Sequence, residues 1–233
     1  MNVSKIKALT FDTGGTILDW YSGFKNGFDL VAKKNNFSLN TNNLAKEFRK
    51  MSLSTITQQN SSNLINFDQA HKKAIEQICE EQSIKIDQAD LRYFYYQAPT
   101  KLKVWEDFLE PFNLLKEKFL CVSFTLLSNR LVFLNSKNNR INWDLVLSCE
   151  TLEVYKPNIE AYKKTARLLQ LEPSECAMVA CHSFDLNAAQ KAGFKTIFVK
   201  RQKESGPDTD VSVDGDYDMV VSDLSELKKL IND

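Results

Sequence analysis

A chain of 233 residues, 43% hydrophobic and 26% charged, has room for one α/β core with an inserted lobe, or for two small domains. Its 30 basic side chains match its 30 acidic ones, so no net field points to nucleic acid or an anionic membrane surface. No apolar run approaches the roughly 18 residues of a membrane span, and Met1–Lys5 leads so directly into the first strand that no signal peptide is expected.

The five cysteines, Cys79, Cys121, Cys149, Cys176 and Cys181, form no Cys-x-x-Cys pair and read as reduced thiols of a cytoplasmic protein, most of them small core residues. With only His71 and His182 present, a zinc site built on histidine is not expected.

In chain order, Ile6-Lys7-Ala8-Leu9-Thr10-Phe11 reads as a buried strand, and Asp12-Thr13-Gly14-Gly15-Thr16 as a sharp turn at its end. An acid at the carboxyl edge of a central parallel strand lies where open α/β sheets place ligands. Glycines after it let backbone N–H groups approach an anion. Asp12 is therefore a candidate nucleophile; the plain alternative is a strand followed by an Asp-Thr-Gly turn.

Beyond Gly23 the pattern is helical for about eighty residues. Phe24, Phe28, Leu30 and Val31 recur at helical spacing, then Leu44, Phe48, Met51 and Leu53, then Phe67, Ala70, Ala74, Ile75 and Ile78. Leu91, Phe94 and Tyr95 suggest a fourth helix before Pro99, and polar separators such as Gln58–Asn63 join the helices into a small bundle. The expected division is a core of residues 1–19 and 100–233 with a helical cap of residues 20–99.

The remainder alternates. Pro111–Phe119 reads as a helix, Leu120–Leu127 as a strand, Asp144–Cys149 as a short strand and Asn158–Leu171 as a helix. Cys176–Cys181 is a strand, Asp185–Ala192 a helix closed by Gly193, and Lys195–Val199 and Asp218–Val221 are strands before a last helix, Leu224–Ile231. Gln202–Asp216 reads as a surface loop. The alternation predicts an α/β fold with a Rossmann-like, doubly wound parallel sheet. Ser128-Asn129, Lys156-Pro157 and His182–Asp185 then share one sheet edge with Asp12.

Phe11-Asp12-x-x-Gly15-Thr16, Leu127-Ser128-Asn129, Tyr155-Lys156-Pro157 and an Asp at 185, in that order, resemble the haloacid dehalogenase superfamily over the whole chain. The resemblance is closest to its type II, L-specific 2-haloacid dehalogenases; the competing branch is the magnesium-dependent phosphatases. Phosphatases of this superfamily carry a proton-donating Asp two residues after the nucleophile, where this chain has Gly14. They carry a metal-ligand Asp where it has Cys181, a poor partner for a hard cation. A halide leaving group needs no proton.

The resemblance thus implies hydrolysis of (S)-2-haloacids to (R)-2-hydroxy acids through an ester on Asp12, with no metal or cofactor and a small halogenated carboxylic acid as the only ligand. It implies a homodimer as the usual assembly. A phosphatase, or a protein of this fold that has lost hydrolase activity, is the alternative.

Residue by residue, the resemblance gives Lys156 the task of offsetting the Asp12 charge and Asp185 that of activating water. N-capping is the plain alternative for Asp185. Thr16 and Ser128 match positions holding the nucleophile and the substrate carboxylate, Asn129 one near the halide, and Arg49 a cap-helix receiver of substrate charge. Tyr162 matches a site residue or simply packs its helix, and Phe184 precedes Asp185 as the aromatic of the motif. Where relatives have Ser-Ser-Asn, this chain has Ala180-Cys181-His182, and His182 can hydrogen-bond there or act as a base. Gly14 replaces a Tyr, which predicts open space beside the nucleophile.

Overall fold

Ala8–Phe11 is buried along its whole length, as a strand inside a parallel sheet must be. It forms β1 of the computed structural model, which describes residues 3–59, 63–207, 209 and 211–232. Next come β2 (Leu18–Asp19) and four helices, α1 (Trp20–Asn35), α2 (Thr41–Thr57), α3 (Phe67–Glu81) and α4 (Gln88–Arg92). The short β3 (Lys103–Val104) pairs antiparallel with β2 and returns the chain to the point it left. The rest alternates: α5 (Leu109–Leu115), β4 (Leu120–Thr125), α6 (Asn129–Asn138), β5 (Leu145–Ser148), α7 (Cys149–Leu152), α8 (Ile159–Leu169), β6 (Cys176–Ala180), α9 (Ser183–Lys191), β7 (Lys195–Val199), β8 (Met219–Val221) and α10 (Lys229–Asn232).

The sheet runs β5-β4-β1-β6-β7-β8 with every pair parallel, so it grows outward on both sides of β1 and the strand order reverses there. The crevice at the carboxyl ends beside such a reversal is the usual ligand position in these sheets. The six expected strands are all present, with slightly shifted ends.

Other expectations need correction. Two-residue strands carry no readable period, so the sequence does not indicate the β2–β3 pair. Helix α6 is masked in the sequence because Leu131–Leu134 is an unbroken apolar run without helical period, and it begins four residues after β4 under a Ser128 cap. The fourth helix expected before Pro99 is present as α4, which ends at Arg92 and widens into a π-type turn, Tyr93–Gln97. The helix expected over 111–119 spans Leu109–Leu115. Leu30, expected on the apolar face of α1, is 60% exposed, because Trp20, Phe24, Phe28 and Val31 already fill that face. Asn60–Ser62 of the polar separator, and Asp208 and Asp210 of the expected surface loop, lie outside the described residues, as do Met1 and Asn2.

Helices α1 to α3 pack around aromatic side chains. Phe24 and Phe48 meet at 4.9 Å, and Phe48 stacks on the His71 ring at 5.1 Å. Burial pushes the His71 pKa down to about 3, helped by Arg49 and Arg130, so this imidazole packs as a neutral ring. The start of α3 is tied to the sheet: the Asp68 carboxylate accepts from the Ser128 hydroxyl and from Arg130, and Asn66 Nδ2 donates to Glu150 Oε1 at 2.7 Å. Among the described residues no helix is long and apolar enough to cross a membrane.

Side chains from three separate segments hold the turn after β1. Arg49 Nη2 donates to the Gly14 carbonyl (3.0 Å), Trp105 Nε1 to that of Gly15 (2.8 Å) and Arg201 Nε to that of Thr16 (2.8 Å). Arg201 also donates to Asp107 Oδ2, which accepts the Leu224 N–H as well, both at 2.7 Å. Arg201→Met leaves Asp107 and the Thr16 carbonyl short of a partner in a buried setting. We expect it to lower the unfolding free energy by about 3 kcal/mol, read from urea midpoints; an unchanged midpoint would show that the turn holds without this residue.

Candidate active site

Asp12 lies one residue past β1, its backbone N–H still bonded to the Val179 carbonyl at 3.0 Å, and is buried. Three side chains reach its carboxylate. Thr16 Oγ1 donates to Oδ2 at 2.8 Å, His182 Nδ1 lies 3.2 Å from the same oxygen, and Lys156 Nζ lies 3.4 Å from Oδ1. Burial alone would raise the Asp12 pKa, but Lys156, His182 and Thr16 more than reverse it and hold the group far below the usual carboxylate range. Asp12 therefore stays ionised.

Lys156 arrives from the segment between α7 and α8, with its ammonium wholly buried, 4.6 Å from the centre of the Phe124 ring. Its shorter contact, 2.6 Å, is to Asp185 Oδ2. Burial works against its charge, but Asp185 and Asp12 outweigh it and raise the Lys156 pKa. Asp185 is the third residue of α9 and caps nothing: its other oxygen accepts from the Tyr162 hydroxyl at 2.6 Å. Tyr162 thus does more than pack α8. Burial and the nearby Asp12 raise the Asp185 pKa despite Lys156. Two carboxylates on one ammonium are pushed in opposite directions, the separation expected of a nucleophile and a base.

The loop expected to lie on the surface supplies a residue that the sequence did not reveal. Glu204 Oε1 is 2.9 Å from His182 Nε2 and accepts from Trp20 Nε1 at 2.7 Å. Room for it comes from Gly15, whose φ is +99° and where a Cβ would stand 2.2 Å from Glu204 Oε1. Burial disfavours the Glu204 charge, but His182, Arg49 and Trp20 bring its pKa down to about 2. Burial likewise opposes charge on His182; the Cys181 thiol is pushed up and neutral, so it is the Glu204 and Asp12 carboxylates that raise the His182 pKa. His182 is therefore an imidazolium between two anions, a role that spacing alone did not indicate.

Donor atoms of Cys181, His182 and Glu204 fall within 4.8 Å of one another, a grouping not expected from the sequence. The fit to a metal is poor. Cys181 Sγ is 3.6 and 3.7 Å from the two ring nitrogens, so it lies off the in-plane lone-pair direction of either. Both nitrogens already face carboxylates.

Arg49 fills the space expected to be open at position 14: its guanidinium would meet a Gly14 Cβ at 3.3 Å. With Phe184, which lies against the His182 ring at 5.5 Å, it lines the cavity that Asp12 faces. That cavity measures about 10 Å³, room for one water molecule. Ser128 and Asn129 are placed otherwise. Ser128 caps α6 and donates to Asp68, while Asn129 accepts from Thr151 Oγ1 at 2.7 Å.

Residues 9–199 match the family described as haloacid dehalogenase-like hydrolase. The chain belongs to that family. This haloacid dehalogenase-like hydrolase is 26% identical to the (S)-2-haloacid dehalogenase 4A of Burkholderia cepacia, over 86% of this chain and 85% of that one. It superposes with a TM-score of 0.89 on the L-2-haloacid dehalogenase PA0810, at 26% identity, covering 97% and 99% of the two chains. With the defluorinating L-2-haloacid dehalogenase Rha0230 the TM-score is 0.90 at 25% identity, covering 98% and 96%.

The titration of Glu204 in this hydrolase carries a sign. A lowered carboxylate pKa adds stability that is present above the unfolded value of 4.5 and is lost as pH falls toward 2. Glu204→Gln should therefore flatten the fall in stability across that acid window, measured by urea unfolding at several pH values. An unchanged acid slope would show that Glu204 titrates normally.

Proposed function

We propose that this protein hydrolyses (S)-2-haloacids to (R)-2-hydroxy acids through an aspartyl ester, without a metal ion. The observation that carries the proposal is the buried chain Asp12–Lys156–Asp185–Tyr162, in which one carboxylate is held ionised and the other pushed toward basicity. The names of the relatives at 25–26% identity support the same chemistry.

Asp12 attacks the carbon bearing the halogen, and the C–O bond forms as the carbon–halogen bond breaks with inversion. Halide leaves without a proton, so Gly14 at the position of a phosphatase acid is no handicap. Water activated by Asp185 then attacks the Asp12 carbonyl carbon, releasing the hydroxy acid and restoring the carboxylate. Thr16 holds the nucleophile, Lys156 offsets its charge, and Tyr162 fixes Asp185. Arg49 receives the substrate carboxylate or the halide, with Phe184 as the apolar wall. Ser128 acts on the substrate only after Asp68 has released its hydroxyl, and Asn129 only after Thr151 has released its amide oxygen. Lys156 and His182 already place two cations on Asp12, at 3.4 and 3.2 Å, so a divalent ion beside it would be repelled.

A cavity of about 10 Å³ is too small for a haloacid, so residues 20–99 act as a cap that moves off core residues 1–19 and 100–233 to admit substrate. Arg49, on α2, and Phe67, on α3, belong to the moving side. A homodimer is the assembly we expect, and five free thiols fit a cytoplasmic setting.

A halide-release panel with chloro-, bromo- and fluoroacetate and both 2-chloropropionate enantiomers tests the proposal. Release from the L enantiomer, unaffected by EDTA and abolished in Asp12→Asn, is expected. Turnover of p-nitrophenyl phosphate that depends strictly on Mg²⁺, with no halide release, would replace this reading with a phosphatase.

A further inference from the structure

Two donors converge on one oxygen of the nucleophile. Thr16 Oγ1 and His182 Nδ1 stand 2.8 and 3.2 Å from Asp12 Oδ2, while among the described residues Oδ1 has only the longer contact to Lys156. The less tightly held oxygen is the better nucleophile, which leaves Oδ2 as the carbonyl oxygen of any ester formed on Asp12. Resting on the reaction proposed above, we infer that His182 and Thr16 form an oxyanion hole on Asp12 Oδ2 for ester hydrolysis, with Glu204 as the positioning residue that keeps His182 a cation.

His182 is not arranged as a base. Its Nδ1 faces Asp12 and its Nε2 faces Glu204 at 2.9 Å, so both nitrogens donate and neither has a lone pair for a water proton. Ester formation removes the Asp12 charge, but Glu204 remains against Nε2, so the ring enters the second half-reaction still protonated. Glu204 is itself fixed by Trp20 and fitted against Gly15. The charged and titratable groups around the pair are Asp12 at the end of β1, Cys181 at the end of β6, Arg49 on α2 and, across Asp12, Lys156.

In that half-reaction, water oxygen bonds to Asp12 Cγ and gives one proton to Asp185. The Cγ–Oδ2 π pair moves onto Oδ2, where Thr16 and His182 receive the negative charge. On collapse the Cγ–Oδ2 double bond re-forms and the bond from Cγ to the bridging Oδ1 breaks. The departing alkoxide takes the proton back from Asp185. The second water proton remains on the new carboxyl group and is lost to solvent, restoring the Asp12 anion.

Rapid-quench mass spectrometry of the Asp12 peptide with 2-chloropropionate measures ester formation and breakdown separately. In His182→Gln, halide release on the first turnover should persist while ester breakdown slows on the order of 10²–10³-fold. Glu204→Gln should slow breakdown by a smaller factor, with Glu204→Asp partly restoring it. In the wild-type protein, ester breakdown should fall as pH rises through the His182 titration, and Glu204→Gln should move that fall to lower pH. This profile needs no variant to fold in order to report its sign.

Breakdown that instead accelerates with pH through that titration would make His182 a base and overturn the inference. Equal losses in ester formation and breakdown would overturn it in favour of a structural role. Wild-type ester that forms and decays while His182→Gln decays at the same rate would overturn the inference alone. The absence of any Asp12 ester in wild type would overturn the proposed reaction, and the inference with it.

Discussion

A lysine ammonium wholly removed from water is tolerable only where anions stand against it, and Lys156 has two, Asp185 at 2.6 Å and Asp12 at 3.4 Å. The three groups come from the end of β1, the segment before α8 and the first turn of α9. Each needs the others in place, since removing the cation would leave two buried carboxylates facing one another. Much of the surrounding structure serves this cluster. Phe124 lies under the ammonium, Tyr162 fixes the far oxygen of Asp185, and Trp105 and Arg201 hold the carbonyls of the turn that carries Thr16.

A second charge pair leans on the first from the opposite side. Asp12, Asp185 and Glu204 are balanced by Lys156, His182 and Arg49. Neutrality at rest has a consequence for the proposed chemistry. Ester formation cancels the charge on Asp12 and leaves an excess of positive potential at that carbon, so negative charge growing on Oδ2 during hydrolysis enters a site already biased to receive it.

The parts legible in the sequence were those with local signatures. Buried strands read as apolar runs and Asp12 as an acid at a strand end, while Lys156 and Asp185 stand out through the motifs of the family resemblance. What escaped depended on long-range contact. Glu204 lies in a stretch of turn-forming residues that reads as solvated loop, and only the fold brings it 2.9 Å from His182. Its local trace is Gly15, whose φ of +99° disfavours any side chain and which leaves room for the Glu204 carboxylate. Gly14 looked like vacant space, yet Arg49 occupies it from a helix whose register the sequence leaves loose. Likewise Asp68, engaging Ser128 and Arg130, looks in the sequence like any acid in the first turn of a helix.

The central claim is that the Asp12 side chain becomes covalently bound to substrate carbon and is freed by water attacking its own carbonyl. A single turnover in ¹⁸O water with enzyme in excess over 2-chloropropionate, followed by mass analysis of the peptide containing Asp12, tests this most directly. One solvent oxygen in the Asp12 carboxylate and none in the hydroxy acid is the predicted result; solvent oxygen in the hydroxy acid on that first turnover, with Asp12 unlabelled, would contradict it.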